Sequence, residues 1–256
     1  MKTSNILILA ACMIFQSCIT IKRSSLELPE AEKIDIANCE ISSTGAVYMN
    51  IFGIIRTDFI PNSIKIESNG VVLYADPLVT LDTVKADYIF ITHNHLDHFS
   101  KSDIKKLSKS GTIIVGPKTI AGKVRDSRVK VASIGDTLDF GRIKCEVVES
   151  YNLNSKIHKK GSNYVGYIIS CDTIRIYIAG DTDFIPEMKD LKNITVAIIP
   201  IGEGKTAMNP QSAAEAVNRI QPGMAVPVHY ELGQGREKQF TESVDEQIEV
   251  KFFQKQ

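Results

Sequence analysis

The stretch ITHNHLDHFS, residues 91–100, places His93, His95, Asp97 and His98 within six positions. The whole chain of 256 residues holds only five histidines. A polar loop that happens to be rich in histidine is one reading; the first half of a metal site is the other. The apolar run DYIFI (87–91) just before it favours the second. Ligands in α/β layers gather beyond the carboxyl ends of strands. In an extended segment, side chains two apart point to the same side, so His93 and His95 can converge on one ion. Asp97 and His98 follow at a turn and can serve a neighbouring position.

The same ending recurs along the chain. Apolar runs stop at Asp76 in YAD, at Asp181 in YIAGD and at His229 in VPVHY. Imidazole with carboxylate suits zinc or iron, and manganese stays open. A carboxylate can bridge two ions about 3.5–4 Å apart, and water between two dications loses its proton near neutral pH. Such a hydroxide attacks a carbonyl or phosphoryl centre. Each residue has a plainer reading: Asp181 as a turn residue, His229 as a satisfied core histidine, Asp76 before Pro77 as the start of a turn. Asp76 also suits a role in orienting a ligand histidine.

Working outward, SIKIES (63–68) alternates apolar and polar residues, and GVVLYAD (70–76) reads as a buried strand. Asn69-Gly70 between them is a strong hairpin signal. Ser100 and Asp103 have capping-box spacing for a helix that Gly111 closes. TIIVG (112–116) reads as a strand. RVKVA, DTLDF and RIKCEVVES read as a β-meander over 128–150. NYVGYIIS and TIRIYIAGD form a hairpin around Cys171-Asp172, and TVAIIPIG (195–202) is a further strand. Asn209 caps a helix with Pro210 at its first position, and QPG (221–223) ends it. MAVPVHY (224–230) is a final strand, and a last helix covers 236–246. Strand and helix alternate at the two ends around a β-rich middle, which fits two sheets covered by helices.

The N-terminus reads as a leader. Lys2 precedes an apolar run from Ile6 to Phe15, too short for a membrane span and suited to a secretory signal. Cys18 in FQSC resembles a lipidation site, with Cys12 in LAAC as the weaker candidate. This division expects a lipoprotein-type signal peptide over 1–17, a polar lead-in over 18–45 and a single hydrolase domain over 46–256. It places the protein in a bacterial cell envelope, touching a membrane through a lipid anchor only, or secreted or periplasmic if Cys18 is not lipidated. Cys39, Cys145 and Cys171 form no disulfide framework and no metal spacing. Thirty basic and thirty acidic residues balance, so nothing suggests a nucleic-acid footprint.

THNHLDH, then AGD, then PVHY in that order resembles the metallo-β-lactamase superfamily across about residues 63 to 245. The resemblance implies a four-layered αβ/βα sandwich of the α/β class, with a dinuclear site at the edge of its two sheets. Carried over, His93 and His95 bind one metal; Asp97, His98 and His229 bind the second; Asp181 bridges; Asp76 supports the ligands. Zn2+ as one or two ions is the expected cofactor, with Mn2+ or Fe2+ as alternatives. Asp97 is also the candidate catalytic proton acceptor. One position departs. Where the superfamily has another histidine after the meander, this chain has Asn152, and His158 lies six residues on. His158 is left as a metal ligand, a substrate contact or a surface residue. Asn152 and Lys205 are candidate substrate contacts, with Gly202 and Glu203 as further pocket residues. The cysteine ligand of the best-known zinc β-lactamases is absent, which turns the expectation toward ester, lactone or phosphodiester hydrolysis of a small-molecule or lipid-type substrate. GKT at 204–206 is no phosphate-binding loop, because Ile199 stands where that motif needs glycine. A non-catalytic metal- or ligand-binding envelope lipoprotein and an iron-dependent redox enzyme are the competing functions. The oligomeric state is left open.

Overall fold

The computed structural model describes residues 19–25, 33–124, 128–202, 204 and 206–253. The expected leader, including Cys12 and Cys18, lies outside the described residues, as do Glu203 and Lys205.

Two seven-stranded sheets form the centre. The first runs in the order β10 (Val129–Val131), β9 (Ile113–Gly116), β8 (Tyr88–Phe90), β7 (Val71–Ala75), β6 (Ile64–Ser68), β3 (Cys39–Ser43) and β2 (Ile34–Ile36). The second runs β11 (Thr137–Asp139), β12 (Lys144–Glu149), β13 (Val165–Cys171), β14 (Ile174–Ile178), β15 (Val196–Pro200), β16 (Met224–Val228) and β18 (Glu249–Val250). Their central strands are buried on both faces, and residue alternation decides which layer each side chain enters. Tyr167, Ile169, Ile176, Ile178, Val196 and Ile198 point inward, to Ile41, Ile66, Leu73, Phe90 and Val115 of the first sheet. Ile168, Tyr177, Ala197 and Ile199 point outward, onto α3 (Pro210–Ile220) and α4 (Arg236–Thr241) through Ala213, Val217 and Phe240. Tyr74, Ile89, Ile91 and Ile114 cover the other outer face, under α1 (Lys101–Leu107) and α2 (Lys118–Val124) through Ile104, Leu107 and Ile120. Helix, sheet, sheet, helix makes the αβ/βα sandwich.

Local signals placed several elements well. Asn69 (φ 49°) and Gly70 (φ 75°) both take the left-handed conformation a two-residue hairpin turn needs. β13 and β14 pair antiparallel around Asp172, itself at φ 54°. Asn209 accepts from the Ser212 amide at 2.8 Å, with Pro210 at the first position of α3.

Other expectations are corrected. α1 ends at Leu107, not at Gly111, because Ser108 turns extended (ψ 145°) and both its amide and hydroxyl bond Ile104 O. Ser100 caps α1, yet the Asp103 carboxylate leaves the capping box to take the Val79 and Thr80 amides at 3.0 and 3.1 Å. The meander over 128–150 divides between sheets: β10 pairs parallel with β9, whereas β11 and β12 join the second sheet. α2 follows Pro117 without having been foreseen. The last helix stops at Thr241 rather than at 246. Residues before 46 are more than a lead-in: β3 pairs with β6 at the first sheet, burying Cys39 and Ile41.

A small third sheet, β1 (Ile19–Arg23), β4 (Val47–Ile51), β5 (Ile54–Ile60) and β17 (Tyr230–Glu231), stands beside the sandwich. It matters for the site because β17 begins one residue after His229.

Candidate metal centre

The structure brings the five histidines and two of the aspartates to one place. Ligand atoms of His93, His95, His158 and Asp181 all lie within 4.8 Å of one another, and those of Asp97, His98 and His229 form a second group of the same tightness. The segment 91–100 is a turn rather than an extended strand, and it still aims His93 and His95 together, with ring centroids 4.5 Å apart.

Asp181 stands between the groups. Its Oδ1 lies 3.1 Å from His98 Nε2 and 3.3 Å from His229 Nε2, while Oδ2 lies 3.9 Å from His93 Nε2. One oxygen therefore faces each side. The Gly180 backbone ahead of it, at φ 66°, passes close to Thr92, and Ser150 Oγ donates to the Asp181 carbonyl at 2.8 Å.

Asp76 is fully buried at the end of β7 and is the anchor of the first loop. It accepts from the Thr92 amide at 2.8 Å, the Thr92 hydroxyl at 2.6 Å and the Asn62 amide group at 3.0 Å, and it meets His98 Nδ1 at 2.8 Å. That last contact turns Nε2 of His98 toward Asp181. A carboxylate on the far nitrogen is how ligand histidines are oriented. Thr92 Oγ1 also reaches His93 Nδ1 at 3.0 Å, leaving Nε2 for the centre.

His229 sits at φ 57° between β16 and β17, a strained conformation for a residue with a side chain. Phe59 packs edge-on against its ring at 4.9 Å, and its Nε2 lies 3.4 Å from Asp97 Oδ2. Gly202 makes this possible: a Cβ there would fall 1.8 Å from the His229 carbonyl oxygen. The residue expected to line the pocket thus acts by having no side chain.

Asn152 and His158 are linked. The Asn152 amide N–H donates to the His158 carbonyl at 2.7 Å and closes the loop between them. The Asn152 side chain turns away to Asp183 Oδ1 at 3.0 Å, and Asp183 Oδ2 takes the Leu153 amide at 2.8 Å. His158 is fully buried with its ring 4.8 Å from His93 and 5.4 Å from His95. The loop folds back so that the later histidine arrives beside the pair. Asn152 and Asp183 also line a cavity of about 620 Å3 with Ser155, Lys156 and Gly204.

Tyr164 was not anticipated. Its half-buried ring stands 4.5 Å from His158 and 5.1 Å from His93, beside the first group. Thr92, Asn62 and Ser150 were also missed. Each is an ordinary polar residue in sequence, and none carries a spacing signal of its own.

Electrostatics separates the groups. Burial pushes the rings of His93 and His95 down, and that of His158 down to about 4, so all three are neutral imidazoles. Burial also works against charge on His98, but Asp181, Asp76 and Asp97 outweigh it and hold that ring well above the usual range. For Asp181 burial opposes ionisation, and His229, His98 and His93 overcome it, keeping the carboxyl well below the usual carboxylate range. Asp97 is lowered in the same way: the hydrogen bond to His229 and the charge of His98 outweigh its burial.

These donors fit metal ions. His93 Nε2, His98 Nε2, Asp181 Oδ1 and both ring nitrogens of His158 are buried without an aligned hydrogen bond. Orphaned buried groups are costly and rare, and here they converge. Imidazole with carboxylate is the donor chemistry of zinc and iron sites.

Residues 59–229, more than half of the chain, match the family described as the Beta-lactamase superfamily domain. The chain belongs to that superfamily. A UPF0173 metal-dependent hydrolase of Anoxybacillus flavithermus is 30% identical over 195 residues, covering 65% of this chain and 81% of its own. A UPF0173 protein of Pyrococcus furiosus is 32% identical over 173 residues, covering 64% and 78%. Among solved structures, a Parabacteroides distasonis protein classed as a metal-dependent hydrolase superposes with a TM-score of 0.70 at 28% identity, over 87% of this chain and 97% of its own. The metallo-β-lactamase fold protein YhfI of Bacillus subtilis superposes with a TM-score of 0.65 at 14% identity, over 84% and 95%, a likeness of fold. The superfamily match ends at His229, the last of the clustered histidines.

Proposed function

We propose that this metal-dependent hydrolase of the β-lactamase superfamily holds two zinc ions and cleaves an ester, lactone or phosphodiester bond of a small-molecule or lipid-type substrate. The observation that carries the reading is Asp181, with one carboxylate oxygen toward each ligand group. His93, His95 and His158 would hold one ion, and Asp97, His98 and His229 the other. Zinc, when bound, supplies Lewis acidity that brings water to ionise near pH 7.

The chain's own residues do the rest. Asp76 and Thr92 fix the orientation of the ligand rings. Asp97 is the better exposed of the two clustered carboxylates, with 18% of its side chain accessible against 1% for Asp181. It is therefore placed to accept a proton from the attacking water. Asn152, Lys156 and Asp183 line a cavity in the loop that closes on His158 through the Asn152 amide, and would give the substrate a polar wall there. The relatives' names favour hydrolysis over the redox and binding-only alternatives. The leader sequence supports a place in the bacterial envelope, anchored through Cys18.

The test is a screen of ester, lactone and phosphodiester substrates on chelated protein reloaded with zinc, with metal content counted by mass spectrometry. Hydrolysis that returns with two zinc ions per chain is expected. Full metal loading with no turnover of any class would overturn the reading.

A further inference from the structure

The turn joining β4 to β5 has the same geometry as the Asn69-Gly70 turn and the wrong residue for it. Phe52 (φ 50°) and Gly53 (φ 87°) both take left-handed conformations between the paired residues Ile51 and Ile54. Such turns favour Asn, Asp or Gly at the first place. A bulky side chain there is strained. Among the described residues no packing compensates, since Phe52 is 70% exposed. Gly53 donates to Asn50 Oδ1 at 3.0 Å, so the turn is well formed and the aromatic is displayed on it.

Phe52 is not alone. Ile54 is 67% exposed and Ile55 56%. Successive strand residues point to opposite faces, so the tip is apolar on both. A partner protein covers one face of a hairpin; an apolar medium covers both. β1 pairs Ile19 with Ile51, which sets Ile19, 45% exposed, beside this same tip. The chain that carries Cys18 and the apolar run 6–15 therefore joins the fold at this end. Ile19 also lines a groove of about 450 Å3 with Leu81 and Leu96, both exposed, so the apolar surface continues to the loop that bears His95 and Asp97. From Tyr48 to Arg56 and from Ile19 to Arg23 there is no acidic residue. Lys22 is exposed here and Arg56 half-buried. Exposed apolar area of this kind marks an interaction site.

We infer that the Phe52-Gly53 hairpin inserts into the surface of a lipid bilayer, holding the small sheet and the metal loop against the membrane beyond what a tether at the N-terminus does. Phe52, Ile54 and Ile55 enter the boundary between headgroups and acyl chains. Lys22 and Arg56 meet anionic headgroups, as basic residues flanking an apolar insertion do.

The chain contains no tryptophan, which makes the test direct. Full-length Phe52→Trp and, separately, Ile55→Trp are mixed with vesicles of phosphatidylcholine and phosphatidylglycerol. Emission should shift to the blue and be quenched by lipids brominated along the acyl chain. Ile134→Trp, on the loop between β10 and β11, should do neither. A chain that co-sediments with vesicles while both hairpin tryptophans keep water-like emission would overturn the inference, because the protein is then merely tethered. A blue shift that needs no vesicles and grows with protein concentration would overturn it in favour of a second copy of the chain.

Discussion

The two candidate ligand groups are built on opposite electrostatic plans. The group of His93, His95 and His158 consists of neutral rings depressed by burial and shares its one carboxylate, Asp181, with its neighbour. The group of Asp97, His98 and His229 has a carboxylate of its own, and Asp76 adds a second behind His98. An incoming dication finds charge compensation at the second group before it finds it at the first. The groups also differ in assembly. Asp97 and His98 come from one turn anchored by Asp76, and His229 from a strand end. His158 reaches the first group only because a surface loop closes through the Asn152 amide. The second group should therefore bind its ion more tightly, and the first should be the exchangeable one.

Asp181→Asn removes the shared carboxylate and gives the largest effect. Metal content by mass spectrometry should fall from two ions to one or fewer, and hydrolysis should be nearly abolished. Full stoichiometry in that variant would show that the groups do not depend on a common oxygen. His158→Ala comes next and separates the groups: one ion should be lost while the other stays at full occupancy. Unchanged metal content would make His158 a substrate contact and erase the contrast. The smallest effect concerns the metal-free chain. His158 is depressed to about 4 when folded, against an ordinary 6.5. Above pH 6.5 the ring is neutral in both states. As pH falls from there toward 4, the unfolded chain takes up a proton that the folded chain resists, so stability declines across that window and levels off below it. The depression corresponds to about 3 kcal/mol. Urea midpoints between pH 7 and pH 4 should fall less in His158→Asn than in the unsubstituted chain. Equal slopes would mean that the ring is not buried neutral.

Legibility followed locality. His93, His95, Asp97 and His98 share one turn, so their spacing exposed them. Asp181 and His229 showed themselves at the ends of apolar runs. Asn69-Gly70, Ser100 and Asn209 declared a turn and two caps, because each acts within four residues. The boundary at residue 46 misplaced β3, since pairing with β6 is a long-range event that a polar-looking CEISS does not advertise. The meander misread β10 for the same reason: a short strand has no local mark of which sheet it will join. Tyr164 and Gly202 carried no pattern, because one matters through the rings it stands near and the other through a carbonyl that arrives from residues away.

By itself, then, the sequence determined the layered α/β class, the strand ends where the candidate ligands cluster and the donor chemistry offered by His93, His95, His98 and His229 with Asp97 and Asp181. It could do so because hydrophobic period, caps and motif spacing are written in neighbouring residues. Only the tertiary structure decided that His158, and not the Asn152 side chain, lies beside His93 and His95, that Asp181 faces both groups and that Phe52 stands exposed on a strained turn. Those depend on loop closure and on distances between segments far apart in the chain, and no local pattern encodes them.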